Sequence, residues 1–181
     1  MAKHLVRLFL LAFLSVAPDV ARAFAPRSIA APLIDARGRK IGAVTLREGP
    51  KGVLINLQIS GLSSGWHGMH FHQVGDCSGG FKAAGGHVAN QHTAHREHAP
   101  LHGGLLNPKG NDAGALPNIF IGSDGSAKVE LYSTYISLGK APGRPALLDD
   151  DGSALIIHAG PEDQTGATDT VSARIACATF R

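Results

Sequence analysis

The sequence predicts an all-β domain, an antiparallel sandwich or barrel carrying two long functional loops. Glycine (23) and proline (10) are plentiful and aromatic residues make up only 6% of the chain, which favours short strands and turns over a helical bundle. Several short runs alternate apolar with small or polar residues, as half-buried strands do. Asp124-Gly125 and Asp151-Gly152 are turn dipeptides separating such runs. With 181 residues, 44% hydrophobic and 17% charged, the chain has one domain's worth of material and is no disordered tail or coiled coil. A net charge of +3, scattered along the chain, gives no case for nucleic-acid binding.

The chain opens with Lys3, His4 and Arg7, an apolar run from Leu8 to Ala17, and small residues around Ala21-Arg22-Ala23. This is the pattern of a removed secretory signal, residues 1–23. The apolar run is well short of the roughly 20 residues needed to span a bilayer, so no membrane contact is expected after removal. Loss of Lys3, Arg7, Arg22 and Asp19 leaves 14 basic against 13 acidic residues. Residues 24–39 read as an N-terminal extension and 40–181 as the domain. Expected strands are Ile41–Leu46, Val53–Ile59, a short one around Met69 and Phe71, then Ile119–Ile121, Lys128–Tyr132, Ala154–His158 and Val171–Ala178. The long irregular segments are 75–118 and 137–151, and loops of such length in a compact domain are usually functional. Cys77 and Cys177 are the only cysteines. In an oxidising compartment they read most simply as one disulfide, two buried thiols being the other reading.

Eight of the ten histidines fall between His67 and His102. His70-Phe71-His72 places two imidazoles at i and i+2 of a strand, hence on one face, which begins a site for copper, zinc or iron. Two polar residues on a solvated face would give the same pattern. His87 follows Gly85-Gly86, where the backbone can turn tightly and aim the ring back. His158 ends an apolar run, an odd place for core filler. His67 reads as a surface or structural residue.

Gly68-Met-His-Phe-His-Gln-Val-Gly75 with Asp76-Cys77, then Ala83-Ala-Gly-Gly-His87, Leu116-Pro-Asn118, Ile156-Ile-His-Ala-Gly-Pro161 and Ala173-Arg-Ile-Ala-Cys177, resembles the copper/zinc superoxide dismutases in their bacterial secreted form. The resemblance implies a flattened Greek-key β-barrel, an immunoglobulin-like sandwich. It implies copper on His70, His72, His87 and His158, a Cys77–Cys177 disulfide, and Arg174 as the cation that draws superoxide to the metal. Copper suits the reaction because it changes oxidation state, which zinc does not. His87, shared between the two metals in the family, would take up a proton on reduction. The implied activity is conversion of superoxide to oxygen and hydrogen peroxide by an exported enzyme of the bacterial periplasm. The alternative is a periplasmic protein that stores or delivers copper; Arg174 favours the enzyme and the extra histidines lean the other way. Nothing in the residues fixes the oligomeric state, a homodimer being one option.

The zinc half departs from the family. Asp112 stands where it usually has a zinc histidine, Ala115 where it has the zinc aspartate, and Glu162 where it often has an aspartate linking the two metals' ligands. A second metal, zinc, is therefore expected to bind weakly or in another arrangement. Its candidate ligands are His87, His102 and Asp112 with one of His92, His95 or His98. On a helix the last three and His102 would share one stripe. They could rebuild the zinc site, bind extra copper, or form a solvated loop.

Overall fold

The computed structural model describes residues 27–90, 103–166 and 172–181. The leader and His92, His95, His98 and His102 lie outside these residues. The strands are β1 (Ser28–Asp35), β2 (Lys40–Gly49), β3 (Gly52–Ile59), β4 (Gly65–His67), β5 (Met69–His72), β6 (Ile119–Ile121), β7 (Ala127–Ser133), β8 (Ser153–His158) and β9 (Arg174–Phe180). Seven form one curled sheet in the order β5-β8-β9-β1-β2-β3-β7, and β4 pairs with β6. Every pairing between these strands is antiparallel. The all-β expectation holds; the segment 137–151 is irregular as expected, and the described residues of 75–118 contain only a 3-10 turn at Lys82–Ala84 and isolated bridges. No helix among the described residues is long and apolar enough to cross a membrane.

Two strands were not legible. β1 lies inside the stretch read as an N-terminal extension, yet it pairs along its length with β2 and touches β9. Pro32 masks it, because proline lacks the N–H a central strand uses. β1 meets β9 only at Ile34 and Asp35, so at Pro32 it has one strand neighbour, the edge-like setting in which sheets admit proline. β4, three residues long, is too short to show a period.

The core explains the site. In β5 Met69 and Phe71 point into the main apolar cluster, with Leu155 and Ile157 of β8 across from them. Side chains alternate along a strand, so His70, His72 and His158 share the opposite face. That face is also buried. Ala154 and Ile156 pack there with Phe81, Ala84 and Cys177 beneath the loop that follows β5. The loop is tied down by a disulfide between Cys77 and Cys177, with Cα atoms 5.9 Å apart across 100 residues of chain. The three histidines thus sit in a covered layer, on strands fixed by the core behind them.

Candidate metal centre

Each ring is aimed by its backbone. His70 and His72 lie opposite Ile156 and Ala154 across the β5–β8 ladder. His87 arrives from the loop: Gly85 sits at φ 74°, ψ −152°, a conformation that favours glycine, and the chain then bridges back so that His87 lies beside His72. Val88 N–H donates to Phe71 O and Gln73 N–H to Gly86 O, which locks this return. His158 ends β8 at a register shift, opposite Arg174 of β9.

The four rings converge. One nitrogen from each of His70, His72, His87 and His158 lies within 4.8 Å of the others. The His70 and His87 rings stack at 4.1 Å, and His72 meets His87 edge to face at 4.8 Å. Three rings are held through Nδ1: His72 donates to Gly85 O at 2.9 Å, His158 to Ser172 O at 2.9 Å, and His87 to an Asp112 carboxylate oxygen at 2.6 Å. A carbonyl or carboxylate oxygen only accepts, so each Nδ1 carries the proton and each Nε2 keeps its lone pair. His70 is reversed: Glu162 Oε2 lies 2.8 Å from its Nε2, outside hydrogen-bond alignment. Glu162 is clasped in turn by Asn118, which accepts from its N–H and donates to its carbonyl.

Buried nitrogens without partners show what this arrangement suits. His72 Nε2, His158 Nε2 and His70 Nδ1 have no hydrogen bond, while His70 Nε2 faces the Glu162 carboxylate. An unsatisfied buried polar atom costs about 1–3 kcal/mol, so a group of them turned toward one another marks a place for a ligand. Imidazole donors suit copper among other transition metals, and the residues fit a copper ion.

Burial also keeps two of the rings neutral, those of His72 and His158. It lowers the His72 pKa to about 2, against its bond to Gly85, with the charges of His87, Arg174 and His158 adding to the shift. Burial likewise lowers His158 to about 4, against its bond to Ser172. For Glu162, burial pushes upward but His70, with His87 and His158, offsets it, and its pKa is lowered overall. Both histidines titrate below the ordinary value near 6.5, so the unfolded chain takes up protons before the folded one does. Metal-free protein should therefore hold its full stability above about pH 6.5 and lose it as pH falls toward 4, on the order of 2 kcal/mol per histidine by pH 4.5. Urea unfolding at pH 7.5 and pH 4.5 checks this; equal midpoints would show the rings to be more hydrated than described.

Arg174 is half-buried beside this cluster, its Nη1 donating to Phe81 O at 2.6 Å and Nη2 to Gly85 O at 2.7 Å. Burial lowers its pKa from the usual arginine value. Its cross-strand partner is the ring-bearing His158.

The pattern of copper/zinc superoxide dismutases matches residues 40–180. The chain belongs to the copper/zinc superoxide dismutase family. A superoxide dismutase [Cu-Zn] of Caulobacter vibrioides is 50% identical over 146 residues, 80% of each protein. A superoxide dismutase-like protein of Bacillus subtilis is 33% identical over 149 residues, 80% of this chain and 71% of that one. A crystal structure of a dismutase-like protein from Bacillus subtilis superposes with a TM-score of 0.72 at 29% identity, covering 84% of this chain and 97% of that chain.

In this family member the four histidines read from the sequence do come together, and Arg174 lies beside them. Asp112 is also at the site, bonded to His87, while Ala115 is buried and bridges to His70 by backbone alone. His67 is buried and structural, its nitrogens 2.7 Å from His158 O and 3.0 Å from Ser63 O. Sequence reasoning missed the Gly85 and Ser172 carbonyls that orient His72 and His158. No side-chain signal could have found them, because any residue supplies a carbonyl.

Zinc fits less well. Among the described residues only the four-histidine group brings three or more metal-donor side chains together. Among the described residues, the side chain bonded to the outer nitrogen of His87 is Asp112, and Ala115 supplies no donor.

Proposed function

We propose that this chain is an exported superoxide dismutase that disproportionates superoxide to oxygen and hydrogen peroxide at a copper held by His70, His72, His87 and His158. The observation that carries the reading is the set of buried, unpartnered ring nitrogens turned toward one another, with a cation alongside. Copper, when bound, supplies the one-electron exchange by which one superoxide is oxidised while another is reduced and takes up two protons.

The remaining work falls to the chain. The Nδ1 bonds of His72, His158 and His87 hold three rings in the tautomer that leaves Nε2 free to ligate. Arg174, pinned by two carbonyls, presents a fixed positive charge to an incoming anion. A cation in a recess focuses the field and raises anion encounter rates. The near balance of charge expected after leader removal supplies no larger attraction. Export is supported by the leader pattern of residues 1–23 and by the disulfide, which persists in oxidising compartments such as the periplasm.

Metal analysis of protein purified from the periplasm, paired with a dismutase assay, tests the reading. Arg174→Gln sharpens it, since the amide can still donate to one carbonyl while the charge is gone. The rate should fall roughly tenfold at low ionic strength, with a weaker dependence on salt and unchanged copper content. An unchanged rate would favour copper storage or delivery instead.

A further inference from the structure

We infer that Asp112 takes the place of a second cation on His87, so that the centre holds one metal and the outer nitrogen of His87 is fixed by a carboxylate. The inference rests on the copper reading above and extends it to how His87 is held.

The distance fits a shared proton better than a shared metal. Asp112 Oδ2 lies 2.6 Å from His87 Nδ1. Zinc bonds nitrogen and oxygen donors at 2.0–2.2 Å in a tetrahedron, which sets two donors about 3.3–3.5 Å apart. The observed gap is shorter and matches a charge-assisted hydrogen bond, with one proton between ring and carboxylate.

The described surroundings also offer little to a cation. Ala115, 4% exposed, offers no donor atom. The other Asp112 oxygen is buried with no partner, so among the described residues the one bond this carboxylate makes is to His87. A metal at this point would find His87 and Asp112 alone among the described residues, too few for a zinc site.

Asp112 is nonetheless built in. Its side chain is only 2% exposed. Its backbone bridges to Ala89, two residues beyond His87. Gly114 passes so close to β5 that a Cβ there would collide with Phe71 O, which brings this segment against the strand bearing His70 and His72. A buried carboxylate is costly unless paired, and the pairing found is with the ring. Asp112 is therefore a positioning residue: it acts through His87, fixing the Nδ1–H tautomer and turning Nε2 toward the other three rings.

The test uses the full chain, first metal-free. Nitrogen-15 NMR should show His87 as the Nδ1–H tautomer with a low-field ring proton; Asp112→Ala should lose that signal, and Asp112→Asn, whose amide oxygen still accepts, should keep it. Loading with copper and zinc together should give one copper per chain and zinc at background. Copper affinity should fall about 10–100-fold in Asp112→Ala, with an altered copper(II) EPR spectrum, and recover in part in Asp112→Asn. One equivalent of zinc bound with loss of the His87 Nδ1–H signal would overturn the inference. So would unchanged affinity and spectrum in Asp112→Ala. If no version binds copper, the copper reading and the one-metal claim fall together, while the His87 tautomer still reports whether Asp112 holds the ring.

Discussion

Replacing His72 by leucine should abolish copper retention and dismutation while leaving the metal-free protein as stable as the parent, within about 1 kcal/mol. The two halves of this result have different origins. His72 is fully buried, and its Nε2 has no partner in the metal-free chain, a state that costs about 1–3 kcal/mol. Leucine removes that cost and suits the layer formed by Ala154, Ile156 and Phe81. Against this, Gly85 O loses one donor, worth about 1 kcal/mol, but keeps the Arg174 guanidinium. Copper loses a direct ligand, and its affinity should fall by more than the 10–100-fold that loss of an outer partner costs metal sites. Metal analysis, the dismutase assay and urea midpoints on one preparation separate these terms. A full equivalent of copper retained by the variant would remove His72 from the ligand set.

Removing the disulfide should have the largest effect on stability. Cys77 and Cys177 close a loop of 100 residues, and in the chain-entropy account such a link constrains the unfolded chain by up to about 4–5 kcal/mol. The pair Cys77→Ala with Cys177→Ala avoids burying a hydroxyl at position 177, which is fully buried beside Phe81, Ala84 and Ile156. For a domain of this size the thermal midpoint should fall on the order of 10–20 °C. The same drop should follow when reductant is added to the parent protein. A loss below about 1 kcal/mol would show that backbone bonds alone hold the covering loop.

The convergence of the four histidines was legible because strands turn spacing into direction. His70 and His72, two residues apart, had to share a face once Met69 and Phe71 claimed the core. His158 followed from its place at the end of an apolar run. Seven strands were legible from alternation and turn dipeptides; β1 was not, because Pro32 interrupts its pattern, nor was the three-residue β4. The second-metal half was legible only as a loss. Ala115 announces a missing donor, but a hydrogen bond between Asp112 and His87 depends on how residues 25 positions apart are folded together, and no local pattern encodes it. The clasp between Asn118 and Glu162, 44 residues apart, was hidden for the same reason.

One oxygen atom sets a constraint on how this protein can vary. Gly85 O accepts from both the His72 ring and the Arg174 guanidinium, so a single backbone carbonyl references the proposed metal ligand and the proposed anion guide to each other. Any change that tilts this peptide moves both groups by the same displacement. Variants of the covering loop should therefore fall along one line when copper retention is plotted against superoxide turnover, and selection acting on either property drags the other with it. Tuning them independently requires changes outside that peptide, at the Ser172 carbonyl for His158 or at Glu162 for His70.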